Sequence, residues 1–179
     1  MAEVKNHTYI FILLTRYKDL MSKVILRMMG GKYVHASLGL NESFGKFYSF
    51  NKRGFRLEHP LKPHRREVPC ALYRIKLSEM EHAKLVAFLN HFEKQRKQYR
   101  YAWLGVILCC LHIAHKSRRR YFCSQFVAEA LIASGAVKLW KSPSLFMPDD
   151  LEKIDKMDLY FEGTLGGLED LVKVTYKGE

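Results

Sequence analysis

The sequence predicts an α+β domain with an antiparallel sheet, on three observations. Apolar runs of strand length stand at 8–14, 34–40, 46–51 and 68–77. Residues Met80, Ala83, Val86, Leu89 and Phe92, and later the run 123–134, follow helical spacing instead. A polar connection with Asn41, Ser43 and Gly45 joins the second and third strand runs and reads as a hairpin.

In chain order, the β-rich run 8–14 leads to Leu20, Val24, Ile25 and Met28, whose spacing predicts a helix over 18–29, ended by Gly30-Gly31. The strand pair 34–40 and 46–51 comes next. Gly54, Pro60 and Pro63 punctuate a looser basic segment. After the strand 68–77, Ser78 opens a strong helix. The apolar stretch 102–115 predicts a buried helix, and the basic stretch 116–120 separates it from a helix over 123–134, closed by Gly135. Pro148-Asp149-Asp150 carries the residues favoured at a helix start, which predicts a short helix near Leu151. The remainder, 159–176, reads as strand-like runs around Gly163, Gly166 and Gly167.

At 179 residues, without repeat or linker, the chain reads as one domain, 1–179. Apolar residues make 48% and charged residues 27%, a balance that excludes disordered and fibrous classes. No apolar window is long enough to cross a bilayer; the best, 102–114, is short and broken by His112. The polar start and the lack of a small-residue cleavage site after 9–14 argue against a secretory signal, so a cytoplasmic location is expected. The four cysteines, at 70, 109, 110 and 123, form no Cys-x-x-Cys pair, which suits a reducing compartment. The net charge of +12, concentrated at 64–66 and 116–120, suits an anionic ligand or a membrane surface, and equally a solvated basic face. No nucleic-acid motif accompanies it, so nucleic acid is not an expected partner.

A nucleophilic cysteine must become thiolate, which needs positive potential and some exposure. Cys109 and Cys110 lie in an apolar run and read as core; Cys70 carries no cue. Cys123 follows Arg118-Arg119-Arg120 and opens a helical pattern, where the helix dipole and free first-turn amides favour a negative sulfur. Buried cysteines are common, so a structural role competes. Among the histidines, His35 shares a strand face with Ser37 and Gly39, a row of small residues that leaves room for substrate. His82 and His91 read as helix surface, and His59 and His64 as loop. Cys109-x-x-His112-x-x-His115 could offer metal ligands, but a zinc site needs a further ligand and no paired motif exists, so no metal is expected.

Tyr33-Val34-His35-Ala36-Ser37-Leu38, then Tyr48-Ser49-Phe50, then Tyr121-Phe122-Cys123-Ser124-Gln125-Phe126-Val127 resemble the permuted branch of the NlpC-type papain-like cysteine hydrolases. That branch includes the bacterial YiiX-like proteins and is similar to the lecithin:retinol acyltransferase group. Its histidine strand precedes its cysteine helix, as His35 precedes Cys123 here. The resemblance covers roughly 8–155 and implies a circularly permuted papain-like fold. It implies Cys123 as nucleophile, His35 as base and a polar residue on the following strand that orients the imidazole. Ser49 is preferred for that third place, with Asn51, on the same strand face, as substitute. The Cys123 backbone amide would line an oxyanion hole, joined by Tyr99 or Tyr101.

The implied activity is that of a cysteine peptidase or amidase acting through an acyl-enzyme on a small peptide, amide or acyl substrate, without a cofactor. A lipid-linked acyltransferase or thioesterase would use the same pair. A binding domain that kept the fold and lost efficient chemistry is the third expectation, favoured by a hydroxyl as the weakest kind of orienter.

Overall fold

A central strand, His7–Thr15 (β1), is buried on both faces over Ile10–Leu14 because its alternate side chains enter two different cores. Ile10, Ile12 and Leu14 belong to the larger core, Phe11 and Leu13 to the smaller. The computed structural model describes residues 7–17, 27, 30–41 and 44–176. Around β1 stand His35–Gly39 (β2), Phe47–Asn51 (β3), Gly54–Glu58 (β4), Pro69–Ser78 (β5) and, much later, Asp158–Thr164 (β8). Among the described residues these form a six-stranded antiparallel sheet in the order β4-β3-β2-β1-β5-β8. Arg100–Tyr101 (β6) and Arg120–Tyr121 (β7) pair in parallel beside it.

Helices cover both faces. Glu79–Lys94 (α1) and Cys123–Ser134 (α3) bury Leu85, Leu89, Phe92, Phe126, Val127 and Leu131 in the larger core. Leu165–Tyr176 (α5) places Leu165 and Leu168 on the smaller one. Each such side chain contributes about 1.5–3 kcal/mol of burial. The start of α1 is fixed by a capping box: Ser78 Oγ accepts from the Glu81 amide, and Glu81 Oε2 accepts from the Ser78 amide at 2.8 Å. Gly135, at φ 82°, closes α3 in the left-handed conformation that glycine adopts freely. Pro148–Leu151 (α4) is the short helix expected near Leu151.

Three expectations need correction, and the helix predicted over 18–29 lies, but for Arg27, outside the described residues. The supposed loop after Asn51 contains β4, because Asn51 and Gly54 close a two-residue turn and Phe55 then packs against Phe50 at 5.6 Å between ring centroids. Its sequence offers only a short alternation, and the glycine and prolines mask it. The buried helix expected over 102–115 is Trp103–Cys110 (α2), shorter and buried only through Gly105, Val106 and Cys109. Its other face stays exposed. The strand-like reading of 159–176 holds for β8 alone, since α5 follows directly. Gly166 lies against Arg66 and Gly167 against the Phe161 ring, so these glycines allow close packing within a helix.

Candidate active site

Cys123 is the first residue of α3, and its N-cap, Phe122, supplies no capping side chain. The first-turn amides are therefore free to serve a negative group. The sulfur is buried and lies 4.0 Å from the Val34 carbonyl, one residue before β2 begins. His35, the first residue of β2, meets it there. The structure thus brings together the two residues expected to react, 88 positions apart in sequence (123 − 35 = 88).

The electrostatics of the pair arise from these contacts. Burial pushes the Cys123 thiol up, but its hydrogen bond to His35, the imidazolium charge and the backbone amides of Ala36 and Ser124 outweigh it and hold the group below its ordinary value. Burial likewise opposes charge on His35. Glu58 and the Cys123 sulfur overcome that and raise the imidazole well above its ordinary range. The arrangement favours a thiolate beside an imidazolium.

The strongest contact to the imidazole comes from a residue that the sequence did not single out. Glu58 Oε2 lies 2.8 Å from His35 Nε2, and both side chains are largely shielded from water. Burial raises the Glu58 carboxyl, yet the His35 charge and the hydrogen bonds from His35 and Asn51 hold it below the usual carboxylate range. Asn51 Nδ2 donates to Glu58 Oε1 at 2.7 Å. Ser49 Oγ is 3.3 Å from His35 Nε2, but its proton goes to the Ala36 carbonyl at 2.6 Å. Ser49 can only accept from the imidazole, as a lesser partner beside the carboxylate. Asn51 holds Glu58 and does not replace Ser49. The signal for Glu58 was the alternation of Phe55 and Leu57 with Arg56 and Glu58 after Asn51.

The space around the pair differs from expectation. The strand face of His35, Ser37 and Gly39 is not vacant, because the Phe47 ring packs directly against Gly39. The thiol opens instead on a narrow crevice formed by Val34, Tyr101, Val106, Cys109, Phe122 and Pro148, with room for about one water. Of the two tyrosines considered for an oxyanion hole, Tyr101 lines this crevice, and burial together with the nearby sulfur pushes its hydroxyl well up. Tyr99 does not: it stacks on Phe92 at 4.4 Å and its hydroxyl meets His91 Nε2 at 3.1 Å. A larger cavity, about 250 Å³, lies between α2 and the basic stretch, lined by Trp103, Leu104, His115, Ser117, Arg120 and Gln125 among others. It neighbours the thiol crevice without containing the thiol.

Cys70 and Cys109 are buried thiols that burial pushes up to about 12, which leaves them inert. The helix that would have aligned Cys109 with His112 and His115 ends at Cys110, and His112 has left-handed backbone. Among the described residues no group of three His, Cys, Asp or Glu side chains is placed to hold a metal ion. No family model matches the chain, and neither a curated protein nor a solved structure matches it.

Proposed function

We propose that this chain is a cysteine hydrolase that cleaves an amide bond through an acyl-enzyme on Cys123. One observation carries the reading: a cysteine at an uncapped helix start meets a histidine whose Nε2 is held at 2.8 Å by a shielded carboxylate. The thiolate of Cys123 attacks the carbonyl carbon, and the Cys123 amide takes the developing oxyanion. The His35 imidazolium passes its proton to the departing amine as the carbon–nitrogen bond breaks. Neutral His35 then takes a proton from water, whose oxygen attacks the thioester and releases the acid and the thiolate. Glu58 positions the imidazole and stabilises its charge; Asn51 positions Glu58.

The order of elements supports a permuted papain-like fold, since the strand opened by His35 precedes the helix opened by Cys123. The binding-domain reading rested on a hydroxyl as the weakest orienter, and Glu58 adds a carboxylate 2.8 Å from His35 beside Ser49, which favours the catalytic reading. Acyl transfer to or from a lipid is the second reading, favoured by the exposed apolar face of α2 beside the crevice. The test is turnover on a panel of peptide amides and acyl esters, with mass analysis of adducts on Cys123. Cys123→Ala and His35→Ala, folded as the parent, must lose turnover. Full activity in either refutes the mechanism, and adducts from acyl lipids alone select the second reading.

A further inference from the structure

Helix α2 is apolar on every side, yet among the described residues it is buried on one side alone, and on the other the Trp103 ring meets Tyr101 at 4.6 Å between centroids. Gly105, Val106 and Cys109 pack inward with Ala102 and Phe122. Trp103, Leu104, Ile107 and Leu111 point outward at helical spacing, and Ile113 continues the patch; Leu104 is 60% exposed and Leu111 62%. A patch of this kind on a charged protein marks an interaction surface. The basic stretch after the helix narrows the partner to an anionic one: His112, His115, Lys116, Arg118, Arg119 and Arg120 are all exposed. Lys116 pairs with Glu129 at 3.5 Å, while the three arginines make no ion pair among the described residues.

We propose that this face docks on an anionic lipid bilayer, with α2 lying in the interface and the basic stretch against the head groups. The combination of a short apolar helix face, an interfacial tryptophan and an adjoining run of cations is what such a surface binds. Docking onto a second copy would bring two unneutralised arginine runs together in a chain of net charge +12, and the repulsion disfavours it. No helix among the described residues is long and apolar enough to cross the membrane, so α2 lies on the surface instead of spanning it. The 250 Å³ cavity sits on the seam, with Trp103 and Leu104 on one side and His115, Ser117 and Arg120 on the other, where a head group would meet it.

This inference does not depend on the chemistry of Cys123. The full chain is mixed with vesicles of phosphatidylcholine, with or without about one third phosphatidylserine, and separated by flotation. It is expected to float with the anionic vesicles, less so at high salt, and Cys123→Ala is expected to float equally well. The double variant Leu104→Ser/Leu111→Ser is expected to bind more than about tenfold more weakly. In a Trp140→Phe chain, whose fluorescence comes from Trp103, lipids brominated along the acyl chain are expected to quench the emission. That readout decides the matter even if the double variant fails to fold. Absence of flotation, an unquenched Trp103, or a dimer that covers the patch at the same protein concentration would overturn the proposal.

Discussion

His35 Nε2 and Glu58 Oε2 lie 2.8 Å apart although their strands are not neighbours: β3 runs between β2 and β4. The contact crosses β3 at the end of the sheet, and β3 contributes to both partners. Ser49 reaches the imidazole at 3.3 Å, and Asn51 reaches the carboxylate at 2.7 Å. Arg65 adds positive charge that lowers the Glu58 carboxyl further, and its guanidinium lies over the Tyr17 ring, itself 5.8 Å from the imidazole. The carboxylate is thus held on one side by the imidazole and on the other by an amide.

If Glu58 positions the imidazole, Glu58→Gln should keep the shape and remove the charge. The expected loss in kcat is about 10²–10⁴-fold, the range found when the orienting carboxylate of a catalytic histidine is neutralised. Ser49→Ala should cost no more than about tenfold, because its hydroxyl proton is committed to Ala36. Steady-state kinetics on both variants distinguish the roles. A larger loss from Ser49→Ala would return the third place to the serine.

The pH profile should respond in a defined direction. Thiolate forms as pH rises through the lowered Cys123 pKa, and the proton donor is lost as pH rises through the raised His35 pKa. Activity therefore occupies a window bounded below by the thiol and above by the imidazole. Removing the Glu58 charge lowers the upper limb. The weaker imidazolium then stabilises the thiolate less, which raises the lower limb. Glu58→Gln should narrow the window from both sides, read as kcat/KM against pH, while the rate of iodoacetamide alkylation of Cys123, which needs only the thiolate, should show the raised lower limb alone. A profile shifted without narrowing would refute the ion pair.

The sheet was legible because its strands alternate or run apolar without interruption, as in 8–14 and 68–77, and the capping box at Ser78 marks its helix in the sequence itself. Cys123 and His35 were legible for local reasons, a helix start after cations and a strand of small residues. Glu58 was not, since its role depends on a hairpin whose turn, Lys52-Arg53, lacks the usual turn residues at its centre. Nor could α5 be separated from β8, because Leu165 follows Thr164 without a break and Gly166-Gly167 disguise the helical spacing of Leu165 and Leu168. Contacts across the fold decided both cases.

That hairpin is sensitive at one backbone position. Gly54 has φ 88°, and a Cβ placed there would stand 2.4 Å from the Tyr99 carbonyl oxygen. Backbone cannot yield as a side chain does, so Gly54→Ala should destabilise the fold by about 1–3 kcal/mol. Because β4 carries Glu58 at its far end, the same change should reduce kcat by more than the fraction unfolded explains. Urea denaturation and kinetics on one preparation test both points. Parental stability would mean that the turn tolerates the side chain.

The narrow crevice over the thiol makes Val106 the residue to test for access. It lines the crevice from α2 and touches neither Glu58 nor His35 in any hydrogen bond or ion pair. Val106→Ala removes two methyl groups from the wall, with an expected stability cost of about 1–3 kcal/mol from lost packing. Room beside the sulfur should let a bulky alkylating agent or acyl group approach, so alkylation by a large haloacetamide should quicken more than alkylation by iodoacetamide itself. The wider crevice admits water to the sulfur and relieves the burial that opposes the thiolate, so any shift in the pH dependence of the two alkylations should be toward lower pH and the same for both. Equal acceleration for small and large reagents would mean that the wall merely loosened, and no acceleration would place the route to Cys123 elsewhere.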